Sequence, residues 1–182
     1  MTRWLGLLRG INVSGTRKVP MAELRQLCTD IGFANPATYI ASGNVMFDAD
    51  GATEAIAQAI EAEMPRRFGF SCDIILRSAA EWRAHLAANP FAGDADIIPK
   101  MLHIALPRHP LKSGGAAAIA GRLLPTERLR EAGGALWIDY GTTGAANTKL
   151  TPAFIDKWAG STVTARNLNT AETLDALLNG KS

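Results

Sequence analysis

Three polar segments hold the residues whose types and spacing suit ligand binding. The first is Arg9-Gly10-Ile11-Asn12-Val13-Ser14-Gly15-Thr16-Arg17-Lys18. It sets three cations, two glycines and small polar residues between an expected strand and the start of an expected helix. Loops of that kind bind anions, because helix N–H groups and the helix dipole point at the ligand. The spacing is neither a P-loop nor G-x-G-x-x-G, so the match to a phosphate loop is weak. A turn with solvated charges accounts for the segment equally well. The second segment is Ser42-Gly43-Asn44, for which a turn is the simpler account. The third is Thr164-Ala165-Arg166-Asn167-Leu168-Asn169-Thr170. Asn169 there reads as a helix cap, whereas capping requires neither Arg166 nor Asn167. The candidate ligand-binding residues are therefore Arg9, Asn12, Lys18, Ser42, Asn44, Arg166 and Asn167.

Other reactive side chains carry less. His85, His103 and His109 have no metal-ligand spacing among themselves or with the cysteines, and no metal is expected. His103 alternates with Leu102, Ile104 and Leu106, which gives it a packing or surface role. Neither G-x-S-x-G nor H-E-x-x-H occurs. Asp94 and Asp96 share a loop, but two carboxylates are few for a cation. Trp4, Trp82, Trp137 and Trp158 fall in regular elements and read as core. Cys28 lies on the apolar face of a helix with Leu24, Leu27 and Ile31, so it is expected reduced and buried, as is Cys72 unbridged.

Hydrophobic periodicity sets the elements that must position these groups. Strands are expected over residues 4–11, 37–41, 44–48 and 72–77. Helices are expected from Pro20 to Gly32, from Thr53 to Phe68, with Pro65 ending or bending the second, and from a Ser78–Glu81 capping box onward. Ser42-Gly43 is a two-residue turn candidate. The order β-α-β-β-α-β is the split βαβ arrangement of ferredoxin-like folds. In it the first two strands run parallel. The loop after strand one, the turn after strand two and the loop before strand four then leave one sheet edge. That edge would gather Arg9, Asn12, Arg17, Lys18, Ser42, Asn44, Arg66 and Arg67.

The second half reads as β-α-β-β-α-α. It has a strand over 100–106, an Ala-rich helix over 116–123, a hairpin about Gly133-Gly134, a helix capped by Thr151-Pro152 and a last helix capped by Asn169 with Glu172. The fold class is α+β, with a ferredoxin-like βαββαβ first half packed on a smaller βαββαα second half. Residues 1–88 are the expected N-terminal subdomain, 89–99 a linker with Pro90, Gly93 and Pro99, and 100–182 the C-terminal subdomain.

The 182 residues carry a net charge of only +2, with 47% apolar and 20% charged side chains. A globular core is expected, and no global field draws in nucleic acid or membrane. Two cysteines make no disulfide framework, and Arg9 interrupts the apolar run Trp4–Leu8 before it reaches leader length. The expected setting is cytoplasmic.

The chain resembles a known bacterial family. Leu7-Leu8-Arg9-Gly10-Ile11-Asn12-Val13, Gly15, Lys18-Val19-Pro20-Met21 and Leu24 look like the opening of the family called domain of unknown function 1697. Thr38-Tyr39-Ile40, Ser42-Gly43-Asn44-Val45 and Phe47 match its next block. Lys149-Leu150-Thr151 and Thr164-Ala165-Arg166-Asn167 with Asn169-Thr170 match its closing blocks, although Leu168 stands where the family usually has Trp. The resemblance implies a two-part α+β fold with a ferredoxin-like first half, and it assigns no activity.

The leading expectation is a binding or catalytic site for a phosphorylated or carboxylated small molecule. A nucleic-acid-binding module is the first alternative and a protein-interaction module the second. Cofactor, reaction type and oligomeric state stay open.

Overall fold

The central strand of the first sheet is apolar on both faces, and this makes the opening of the chain legible. Trp4, Leu5, Leu7 and Leu8 are all buried in β1 (Thr2–Leu8). The structure, a computed structural model, describes residues 1–13 and 15–180. After β1 come α1 (Met21–Asp30), β2 (Ala34–Tyr39), β3 (Asn44–Ala49), α2 (Thr53–Phe68), β4 (Ile74–Ser78) and α3 (Ala79–Ala87). The remainder is β5 (Leu102–Pro107), α4 (Gly115–Ala120), β6 (Arg128–Ala132), β7 (Ala135–Asp139), α5 (Pro152–Ala159), β8 (Val163–Asn167) and α6 (Leu168–Leu178). The chain divides into two compact units. Met1–Trp82 with the chain from Ala176 onward forms the first, and Arg83–Asp175 the second.

In the first unit the strand order is β2-β3-β1-β4, antiparallel throughout. Strands β1 and β2 both oppose β3, so they run the same way. Strand β4 opposes β1 and starts where β1 ends, with Leu8 beside Ile74. The edge expected to collect the polar loops therefore exists. One core joins Trp4, Val45, Phe47, Ile74 and Leu76 of the sheet to Leu24, Leu27 and Cys28 of α1 and Ile56, Ile60 and Met64 of α2. The Ser78–Glu81 capping box forms: the Glu81 N–H donates to Ser78 Oγ at 3.2 Å, and the Ser78 N–H to Glu81 Oε2 at 2.7 Å.

One local expectation is met and another needs correction. Helix α2 spans Thr53–Phe68 as expected and continues past Pro65 to that end. Phe68 packs on the core there, and the Gly69 N–H closes the end on the Pro65 carbonyl at 3.1 Å. The β2–β3 connection is not a two-residue turn. It takes four residues, Ile40 to Gly43, with both of these at positive φ. A Cβ on Gly43 would lie 2.9 Å from Ile11 Cδ1, so the turn fits under the loop after β1 only with glycine there.

The second unit repeats the first topology with strand order β6-β7-β5-β8, again antiparallel. The expected βαββαα is thus a βαββαβ followed by a helix. Strand β8 was hidden by its polar residues: in Val163-Thr164-Ala165-Arg166-Asn167 only Val163 is a strong strand former of the apolar kind. Its backbone pairs with β5 regardless of that composition. The last helix is capped by Asn167, not Asn169, since Asn167 Oδ1 accepts the Thr170 N–H at 2.9 Å. As the final strand residue, Asn167 has the extended backbone a cap requires. Thr151 caps α5 as expected, through Oγ1 and the Phe154 N–H at 3.3 Å. A Cβ on Gly115 would come within 2.3 Å of the Trp158 carbonyl oxygen, so glycine allows α4 to lie against α5.

The segment from residue 89 to 99 is firmly held within the second unit. Phe91 is buried beneath the Arg128 and Arg130 guanidiniums, 5.2 and 4.6 Å from its ring centre. Arg128 also bridges Asp94 at 2.6 Å and Asp139 at 2.8 Å. No helix among the described residues is long and apolar enough to cross a membrane.

Candidate functional site

The edge of the first sheet is drawn together by backbone bonds at the end of β1. The Leu8 N–H donates to the Gly43 carbonyl at 2.8 Å, and the Arg9 N–H to the Asp73 carbonyl at 3.0 Å. The loop beyond them doubles back on itself. The Asn12 N–H reaches the Arg17 carbonyl at 3.1 Å, and the Thr16 N–H reaches Val13 at 3.0 Å. Asn12 and Arg17 both take positive φ, a conformation that asparagine tolerates better than most residues.

Asn12 is the hub of this edge. Its Nδ2 donates to the Ala41 carbonyl at 2.7 Å and the Val19 carbonyl at 3.1 Å, and its Oδ1 accepts the Val19 N–H at 2.8 Å. One amide therefore joins the start of the loop, its end and the β2–β3 turn. Asn44 does similar work from below. It is fully buried, and its Nδ2 donates to the Tyr39 carbonyl and to Ser42 Oγ, both at 3.0 Å. These two asparagines shape the edge, and the Ser42 side chain is exposed above them.

The cations behave differently from one another. Arg17 donates to the Ser71 carbonyl and covers the Phe70 ring at 4.7 Å. Arg9 is half-buried. Its carbonyl accepts from the Cys72 thiol at 3.3 Å, and burial pushes that thiol's pKa up. Lys18 is exposed and makes no hydrogen bond or ion pair among the described residues. Arg66 and Arg67, expected to swell the same cationic rim, are engaged with Glu63 and Asp30. The Arg67 hydrogen bond lowers the Asp30 pKa.

The remaining candidates belong to the second unit. Arg166 is buried on β8 and donates to Thr164 Oγ1 at 3.1 Å and to the Ala165 carbonyl at 2.8 Å. Burial pulls its pKa down to about 10, so it still carries its charge at neutral pH. Asn167 is occupied at Oδ1 by the helix cap.

Sequence reasoning passed over a buried polar group close by. Strand β5 pairs Ile104 with both Trp137 and Arg166, which puts these two on one sheet face. Trp137 Nε1 is buried without a partner among the described residues, as is Glu127 Oε1. A tryptophan inside an apolar strand gives no sign of this in the sequence. His103 has the packing surroundings expected of it. Its ring meets Tyr140 edge-on at 5.0 Å, its Nδ1 lies 3.2 Å from the Met101 carbonyl, and burial lowers its pKa. Burial, with Glu127 nearby, raises the Tyr140 pKa to about 12. The Asp94–Asp96 pair is committed elsewhere, with Asp94 on Arg128 and on the Asp96 N–H. No group of three or more metal-ligating side chains occurs among the described residues.

Comparison with known proteins agrees with this architecture. The chain is similar to a solved structure, the conserved bacterial protein SP0830 from Streptococcus pneumoniae, at 27% identity and a TM-score of 0.77. The match covers 98% of this chain and 99% of that one. No curated protein matches. A family model described as protein of unknown function (DUF1697) matches residues 1–137, and the chain belongs to that family.

Proposed function

We propose that the chain binds an anionic small molecule, phosphorylated or carboxylated, at the edge of the first sheet. The observation that carries this reading is Lys18, an exposed ammonium with no partner among the described residues, beside a loop bracketed on both sides by the Asn12 amide. Half-buried Arg9 and the exposed Ser42 hydroxyl lie on loops of the same edge. Asn12 and Asn44 contribute by holding the loops in place. Arg166 and Asn167 belong to the second unit and are proposed as anion contacts within that unit alone, the first through a planar guanidinium suited to carboxylates and phosphates and the second through Nδ2.

Thermal unfolding of the full chain in phosphate, sugar phosphates and small carboxylates tests the reading. A ligand at about a hundred times its Kd adds about 2.7 kcal/mol. Lys18→Ala should abolish the shift and leave the ligand-free melting point in place. Arg9→Ala separates two roles: loss of the shift alone makes Arg9 a ligand contact, and unfolding makes it a strut. A wild-type melting point that no anion moves would overturn the proposal. Steep weakening of nucleic-acid binding with salt would favour the nucleic-acid module instead.

A further inference from the structure

Two exposed aliphatic side chains share the anion edge, and one of them is held there against its backbone preference. Val13 is 57% exposed and Ile40 49% exposed. Val13 follows Asn12 and Ile40 precedes Ala41, so each is one residue from the 2.7 Å bond that joins Asn12 to Ala41. Lys18 precedes Val19, which makes the other two bonds of the same amide. The backbones of the three exposed residues therefore each adjoin a bond of one asparagine.

Ile40 has φ +49°. A β-branched residue in the left-handed region is a true outlier, and such strain gathers where a site needs it. The means of holding it are visible. The carbonyl before Ile40 accepts from Asn44 Nδ2, and the carbonyl after it accepts from Asn12 Nδ2. Glycine or asparagine would sit there without strain, yet isoleucine occupies the position and half of it meets solvent.

We infer that the ligand of this edge is a small amphiphilic acid, its anionic head at Lys18 and its apolar tail across Val13 and Ile40. The inference rests on the anion reading of the same edge and narrows it to one ligand class.

The test titrates the full chain, methyl-labelled, with acetate and with octanoate at concentrations where octanoate is monomeric. Octanoate should bind at least about tenfold tighter than acetate, equivalent to ~1.4 kcal/mol. The Val13 and Ile40 methyl resonances should shift along the same saturation curve. The double variant Val13→Thr/Ile40→Asn should bring octanoate down to the acetate level without changing acetate binding. Should that variant fail to fold, the wild-type methyl shifts decide. Acetate binding that depends on Lys18, with no octanoate preference and unmoved methyls, overturns this inference and leaves the anion reading intact. Binding of neither acid, or binding indifferent to Lys18→Ala, overturns both.

Discussion

Asn12 and Ala41 lie 29 residues apart in sequence and are joined by a 2.7 Å hydrogen bond from amide to carbonyl. The same side chain also closes the loop it opens, through both polar atoms of Val19. Asn12→Ala should therefore release three backbone groups at once and put alanine at positive φ. The expected loss is about 2–3 kcal/mol in urea unfolding, near 1 kcal/mol per bond. Asn12→Asp keeps the acceptor for the Val19 N–H and loses both donors, so it should fall between wild type and Asn12→Ala.

Ile40 offers the reverse experiment. Left-handed backbone costs a residue with a Cβ about 1–2 kcal/mol, and glycine's extra freedom in the unfolded chain returns part of the relief. Ile40→Gly should gain about 0.5–1 kcal/mol, read by the same unfolding assay. Destabilisation would mean that the isoleucine side chain stabilises the fold by more than its strain costs.

Alkaline pH separates the buried titrating groups. Burial raises the Cys28 pKa from 9.0 to about 12. Above pH 9 the unfolded thiol has lost its proton while the folded one keeps it, so stability falls as pH rises. Tyr140, raised from 10.0 to about 12, adds to that fall above pH 10. Arg166, lowered from 12.5 to about 10, opposes it there, because the folded state sheds its proton first. Between pH 9 and 10 the decline therefore comes from the two thiols, since burial also raises the Cys72 pKa, and the Cys28 variant isolates its share. Cys28→Ala should flatten the decline in that window by up to about 1 kcal/mol per pH unit. Neither cysteine is bridged and both are buried, so a thiol reagent should label Cys28 only after denaturation.

Arg128 ties the segment 89–99 to the second sheet. Asp139 is 3% exposed, and removing its cation leaves a buried carboxylate with the Gly141 N–H but no counter-charge from Arg128. Breaking a fully buried pair costs about 3–5 kcal/mol, and partial exposure of Arg128 reduces that to about 2–3 kcal/mol for Arg128→Ala. Amide exchange around Phe91 should rise in the same variant. Unchanged exchange there would mean that apolar contacts alone hold the segment.

What was legible in the sequence follows from which signals are local. The apolar run of β1, the Ser78–Glu81 box and the Thr151 cap each involve neighbours a few residues apart, and all were readable. The shared edge was readable because topology alone dictates it. Strand β8 was not, since its place depends on backbone pairing with β5 and its own residues are polar. Nor was the division of labour in the motifs. Asn12 and Asn44 look like ligand donors in the sequence, and only the structure shows the bonds they make to residues 39, 41 and 42. Nor was the engagement of Arg66 and Arg67 legible, because the carboxylates that hold them cannot be assigned from spacing.

The repeated strand order extends to a single bond. Arg9, just past β1, donates its N–H to the residue before β4 at 3.0 Å, and Arg108, just past β5, donates to the residue before β8 at 2.9 Å. Duplication and fusion of one ancestral gene segment would leave this correspondence. The two units differ in the loop that follows. The first carries Gly10, Asn12 and Gly15, and the second carries Pro110 and Gly114. A pair of like halves lets one keep its loop while the other is free to acquire a new specificity, and the proposed ligand edge belongs to the first.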